Sequence, residues 1–310
     1  MMRTRALLMG CVSLLACRDD PSGPPGDPRE LILFSKGADV AGTEIFVMLP
    51  DGTGAERLTT NDVFDGQAHW SPDRRRIAFA SMRDSTNGDG RLEIHVMNAD
   101  GSEQRKLTDG TESAEGPRWS PDGSRIAFTR AGAAVGQSQI YVMNADGSNL
   151  RTLTPTGNNF LSDWSPDGRR ILFLSNRPPR NLWTMYVMNA DGTGEQVLSG
   201  DAACLWNVGG ARWSPDGSRI AYGCDEPSGQ ALYTITANGI GAVRLSEPVG
   251  PGDFTSDGIP VWSPDGQRVA FVSGRGGQYD LYVVSATGGA ATRLTEDSAM
   301  ELPSDWRRPR

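Results

Sequence analysis

The sequence predicts an all-β fold, a six-bladed β-propeller, and three observations predict it. The tetrapeptide Trp-Ser-Pro-Asp recurs at Trp70, Trp119, Trp164, Trp213 and Trp262, and Trp306 behind Asp305 supplies a sixth tryptophan, at intervals of 44 to 49 residues. A period in the forties built from short apolar runs and turn residues is the mark of a four-stranded blade. Each kind of run, counted separately, occurs six times. The order of the runs is offset at the two ends of the chain, so one blade needs both ends.

The third repeat shows the elements in order. A strand a ends at Trp119, and Ser120-Pro121-Asp122-Gly123 follows as a type I turn whose glycine takes positive φ and returns the chain as a hairpin. Strand b is Arg125-Ile126-Ala127-Phe128, and after a variable loop strand c is Ile140-Tyr141-Val142-Met143. Asn144-Ala145-Asp146-Gly147 then turns into strand d, Arg151-Thr152-Leu153-Thr154. The runs are β-branched or aromatic and too short for helices.

Across the chain, strand b begins near Leu31, Arg76, Arg125, Arg170, Arg219 and Arg268, and strand c is centred on Phe46, Val96, Tyr141, Tyr186, Tyr233 and Tyr282. Strand d ends at Leu58, Leu107, Leu153, Leu198, Leu245 and Leu294. The first repeat starts at b, and the last strand a, at Trp306, has nothing after it. A ring closed by the C-terminal strand avoids two bare sheet edges and an unburied blade face.

These strings resemble the propeller repeats of the TolB-like family, whose type member is the periplasmic component of the Tol–Pal envelope system. The resemblance spans roughly residues 31 to 306 and implies the fold more firmly than the function. Where TolB carries a separate α/β domain ahead of its propeller, this sequence has a short linker.

The domain reading is a signal peptide over 1–16, a lipidated cysteine with a proline-rich tether over 17–30, and the propeller over 31–310. Arg3 and Arg5 precede an apolar stretch from Ala6 to Ala16, and Leu14-Leu15-Ala16-Cys17 resembles the lipobox of bacterial lipoproteins. That resemblance implies a lipid on Cys17, and Arg18 lacks the aspartate that retains lipoproteins in the inner membrane. The expected location is the bacterial envelope, as an outer-membrane lipoprotein facing the periplasm or the cell surface.

Charge narrows the partners. The chain has 30 Lys and Arg against 38 Asp and Glu, a net −8, and loss of Arg3 and Arg5 with the leader takes it to −10. Phosphate-rich partners need a basic surface, so nucleic acid is not expected, and the membrane is met only through the lipid. The expected chain is a monomer that meets an envelope protein or glycan. Of the remaining cysteines, Cys204 lies before a strand a and Cys224 just past the strand b of the same blade. Antiparallel a and b bring these positions to one edge, where an oxidising compartment permits a disulfide; the other reading is two free thiols.

Chemistry is sparse. His69 and His95 have no metal partner at a known ligand spacing, and no Gly-x-Ser-x-Gly elbow occurs. No cofactor or metal is expected, the Asp-Gly turns being explained by backbone geometry. His95, within a strand c, reads as a packed residue.

Two sets of aligned residues carry the functional expectations. The position before each tryptophan holds Asp305, His69, Arg118, Asp163, Arg212 and Val261 at the central channel. Signs alternate from Arg118 through Asp163 to Arg212, and the polar members read either as a sealing network of ion pairs between blades or as a ligand ring. The second set is Arg83, Arg177 and Arg275, four residues past the aromatic of strand b, read either as partner contacts or as arginines paired across their hairpins, Arg83 with Glu93 and Arg275 with Asp280. Loops from d to a and from b to c share one face, and the longest bring Trp206 and Phe254 into exposed sequence. The function read here is a non-catalytic binding scaffold of the envelope, not an enzyme. The alternative is an enzyme or enzyme accessory, such as a glycan lyase-like or peptidase-associated propeller, with its site in the channel.

Overall fold

The computed structural model describes residues 30–39, 41–85, 90–132, 136–178, 182–198, 208–248 and 257–307. Each sheet has four strands, and six such sheets are present. Five take their strands consecutively, while the sixth joins Met300–Arg307 to Leu31–Gly37, Glu44–Met48 and Glu56–Arg57. In that closing pair Ile32 lies opposite Trp306 and Gly37 opposite Met300, antiparallel. The six blades and the closure by the C-terminal strand are as the repeat predicts.

What binds blade to blade is apolar. Leu33, Ile45 and Val47 of the first blade form one buried cluster with Trp70, Ile77 and Phe79 of the second. Five further clusters bridge the remaining neighbours, the last joining Val261, Ala270 and Leu281 to Ile32, Phe34 and Trp306 across the closure. Each buried side chain of this size contributes about 1.5–3 kcal/mol.

Within a blade, the aromatic of strand b faces an aromatic of strand c. Phe34 and Phe46 pair with ring centroids 5.6 Å apart, Phe173 and Tyr186 at 5.4 Å, and Tyr222 and Tyr233 at 5.8 Å. His95 takes this place in the second blade, 5.5 Å from Phe79 and directly opposite it in register. Its ring nitrogens meet Glu93 O at 3.2 Å and an Asp84 carboxylate oxygen at 2.9 Å. Burial depresses its pKa, so it packs as a neutral ring.

A polar seam adds to the apolar one. The arginine opening strand b lies over the next blade's tryptophan: Arg76 over Trp119 at 4.7 Å, Arg125 over Trp164 at 5.0 Å, Arg170 over Trp213 at 4.8 Å and Arg268 over Trp306 at 4.8 Å. Such a stack is worth about 0.5–2 kcal/mol, depending on its exposure. The closing blade adds Glu30, which is buried and accepts from Trp306 Nε1 at 3.1 Å and Arg268 Nη2 at 3.2 Å. The sequence places Glu30 in the unpacked tether. The structure corrects this, because an indole N–H and a guanidinium at the closing seam need an acceptor.

The Ser-Pro-Asp turns between strands a and b follow their chemistry with one exception. In Ser120-Pro121-Asp122-Gly123 the Gly123 N–H donates to Ser120 O at 2.8 Å, Gly123 has φ of 70°, and Asp122 Oδ1 accepts from Ser124 N at 3.0 Å. The second blade has Arg74 at this position, with φ of 57°. A side chain in that region is strained where glycine is not. Arg74→Gly is therefore expected to stabilise the protein by about 1 kcal/mol, and Gly123→Ala to destabilise it by about the same amount. Urea unfolding of the two variants beside the parent checks this; an unchanged Arg74→Gly midpoint would contradict it.

Candidate functional site

The channel is shaped by a bulge in strand a. The register slips between Gly66 and His69, Glu115 and Arg118, Leu161 and Asp163, Gly209 and Ala211, and Gly258 and Val261. Gln67, Gly116, Gly210 and Ile259, each three residues before its tryptophan, have φ of 54°, 61°, 43° and 50°. A bulge re-aims the side chains beside it and leaves backbone groups without a ladder partner. Sequence reasoning missed these bulges, since Gln67 and Ile259 carry no turn signal.

The polar ring answers those unpaired groups. Asp305 Oδ2 accepts from Trp70 N at 3.0 Å, His69 Nδ1 from Trp119 N at 3.4 Å, and Asp163 Oδ2 from Trp213 N at 3.0 Å. Each link runs from one blade to the backbone of the next. Asp163 Oδ1 also accepts from Trp164 N at 2.9 Å. The expected ion pairs through Arg118, Asp163 and Arg212 do not form. Both arginines instead donate to Ser162 O, from Arg118 Nε at 3.3 Å and Arg212 Nη1 at 2.6 Å. Asp163 is held by the two tryptophan N–H groups, because leaving a buried N–H unmet costs more than a Coulomb contact returns. Arg307, which the sequence did not single out, reaches Asp305 at 3.3 Å.

Protonation follows from burial. His69 accepts at Nδ1, so its proton sits on Nε2, 3.6 Å from Asp305 Oδ2. Desolvation pulls its pKa down to about 3, against the pull of Asp305. Asp163 is pushed up to about 7, chiefly by desolvation and in spite of Arg118. Its side chain is only partly covered, but its solvent contact is confined to the channel, where desolvation still dominates.

The ring divides two cavities. Toward the a–b turns a space of about 550 Å³ is walled by all six repeat tryptophans with His69, Asp163, Arg212, Asp305 and Arg307. Toward the loops a space of about 700 Å³ is lined by Phe64, Phe160, Leu161, Trp183, Ile259 and Leu302, with Arg118 and Arg212 also in its wall. Phe160 and Trp183 meet edge to face with centroids 5.2 Å apart. These aromatics escaped the sequence reading, which looked to the longest loops; the signal was Phe160, four residues before its tryptophan, where four other blades have Gly66, Glu115, Gly209 and Gly258.

The three arginines outside the channel serve their own blades. Arg83 pairs with Asp65 at 2.5 Å and lies over Phe79, and Arg275 pairs with Asp257 and lies over Phe271 and Tyr282. Arg177 donates to Glu195 and to Asn159, each at 2.7 Å. The partners read from the sequence, Glu93 and Asp280, are corrected: Arg83 and Arg275 reach the start of strand a rather than strand c, while Glu93 accepts from Thr108 and Asp280 pairs with Arg293 at 2.7 Å. Cys224 is fully buried and disulfide-bonded. Cys17, Cys204, Trp206 and Phe254 lie outside the described residues. Among the described residues, no group of three His, Cys, Asp or Glu is placed to hold a metal ion, and no helix is long and apolar enough to cross a membrane.

A family model described as the TolB beta propeller domain matches residues 85–256 and 202–308. The chain belongs to the TolB beta propeller domain family. Among solved structures it is similar to TolB from Acinetobacter baumannii, with TM-score 0.76 and 21% identity over 92% of this chain and 68% of that one. A putative TolB from Agrobacterium tumefaciens gives TM-score 0.67 and 18% identity over 89% and 90% of the two chains. An oligogalacturonate lyase from Vibrio parahaemolyticus gives TM-score 0.54 and 12% identity over 82% and 71%. No match was found among curated proteins. At these identities the structural likenesses establish the fold, and activity has to be argued from side chains.

The ring makes a prediction about pH. Asp163's folded pKa, about 7, exceeds its ordinary 3.8, so its contribution to stability is full below about pH 4 and is lost as pH rises through about 7. His69's folded pKa, about 3, lies below its ordinary 6.5, so its contribution is full above that value and is lost as pH falls toward 3. The two oppose each other between about pH 4 and 6.5. Asp163→Asn keeps an acceptor for a tryptophan N–H and removes the falling term. Its urea midpoint should climb with pH across that window more steeply than the parent's, by at most about 1.4 kcal/mol per pH unit. Parallel profiles would contradict the assignment.

Proposed function

We propose that this protein is a non-catalytic binding scaffold of the bacterial cell envelope, tethered through a lipid on Cys17, that docks a protein or glycan on its loop-rich face as a monomer. The observation that carries this reading is the contrast between the two faces. The turn face repeats Ser-Pro-Asp and Asn-Ala-Asp-Gly with geometry that each turn needs for its own backbone. The loop face differs from blade to blade and opens a largely apolar funnel with an aromatic corner. Concave apolar surface bounded by aromatics and a few polar groups is what recognition sites are made of.

The alternative is a channel enzyme, and the fold likeness to a lyase keeps it in view. The channel chemistry argues against it. His69 spends its Nδ1 lone pair on a backbone N–H and, with a pKa pulled down to about 3, is too weak a base to take a proton, and His95 is packed against Phe79, so neither is placed as a general base.

Capture from crosslinked envelopes tests the reading. Trp206→Ala with Phe254→Ala should weaken capture without lowering the melting midpoint, while Arg169→Glu on the exposed turn face should leave it intact. Cys17→Ser should move the protein out of the membrane fraction. Capture that survives the first variant and fails with the second would move the site to the turn face, and glycan cleavage by the purified chain would favour the enzyme.

We assign Cys204 as the disulfide partner of Cys224, closing a loop of about twenty residues worth about 3 kcal/mol if unstrained. A non-reduced digest of protein made in an oxidising compartment should yield the Cys204–Cys224 linked peptide. Two free thiols there would contradict the pairing.

A further inference from the structure

Two arginines line the loop-face cavity without a carboxylate in contact with them, Asp163 and Asp305 acting on Arg118 only at longer range from the ring. Arg118 and Arg212 converge on the single carbonyl of Ser162, and their other hydrogen bonds go to Pro117 O at 2.9 Å and Ala211 O at 2.9 Å. Among the described residues no carboxylate lies within 4.0 Å of either guanidinium. Two like charges sharing one neutral acceptor repel each other where solvent is scarce, and an anion between them relieves that repulsion. Glu115 also lines the cavity, but it receives a hydrogen bond from Gln67 at 3.5 Å and burial raises its pKa toward the neutral form.

Above this cationic floor the walls are apolar. Phe160 packs edge to face on Trp183, and Leu161, Ile259 and Leu302 continue the surface. Ile259 holds φ of 50°, a region hostile to a β-branched residue, and such strain persists where the surroundings impose it, often at ligand sites. The volume of about 700 Å³ falls in the usual range for small-molecule pockets.

We propose that this funnel binds a small amphipathic carboxylic acid, its apolar body against the Phe160–Trp183 corner and its carboxylate between Arg118 and Arg212. The chain's net charge of −8 repels anions in general, so a saturable site for one must come from the local arginine pair. The proposal is independent of the scaffold reading, since either can fail with the other standing.

Calorimetric titration of the mature chain with decanoate, decanol and decylammonium tests it. Decanoate should saturate a single site and bind roughly tenfold or more tightly than decanol, the scale of a charge-assisted pair, with decylammonium weakest. Arg212→Gln should abolish the preference for the acid while keeping decanol binding, and Phe160→Ala should weaken both. If Arg212→Gln fails to fold, the three ligands on the unaltered chain decide the matter. Equal affinities for decanoate and decanol, a preference for decylammonium, or no saturable binding would overturn the proposal.

Discussion

The structure depends on one constraint: a blade cannot bury either of its faces alone. Every apolar cluster belongs to two neighbouring blades, so the stability of each sheet is lent by the next. Closure of the ring is then a structural necessity, and the protein meets it by giving the first blade a strand from the far end of the chain. The closing seam carries the same devices as the others, an arginine over a tryptophan and an apolar cluster, and adds Glu30 where the chain enters.

Polar groups in the channel follow from the same geometry. Bulging strand a turns the residue before each tryptophan toward the channel and leaves the tryptophan N–H groups facing the preceding blade. Asp305, His69 and Asp163 accept those N–H groups, so the acids serve as backbone acceptors, and neither forms an ion pair with Arg118 or Arg212. The consequence is functional. Arg118 and Arg212 are left on a shared carbonyl at the base of an apolar funnel, with no carboxylate in direct contact among the described residues.

Most of the fold was legible because each feature that specifies it is local and repeated. Ser-Pro-Asp-Gly and Asn-Ala-Asp-Gly announce their turns through proline, the aspartate acceptor and the glycine, and the six tryptophans fix the phase. Arg74 stands where the four other copies of that turn have glycine. The pairings of Arg83 and Arg275 were not legible, since the residue opposite the end of strand b on its other side is set by a bulge that Gln67 or Ile259 does not advertise. The Phe160–Trp183 corner was hidden for a related reason: Phe160 lies at the start of strand a and Trp183 stands just before strand c of the same blade, and only the pairing of both strands with strand b brings the two rings together.

The claim that ring closure holds the whole domain together is tested most directly by calorimetry of a chain ending at Ala299, which lacks the strand Met300–Arg307. The account predicts that the full chain melts in one cooperative transition, with calorimetric and van't Hoff enthalpies in agreement, and that the shortened chain loses this cooperativity and binds a hydrophobic dye before melting. A shortened chain that melts in one transition at the parent's temperature would contradict it.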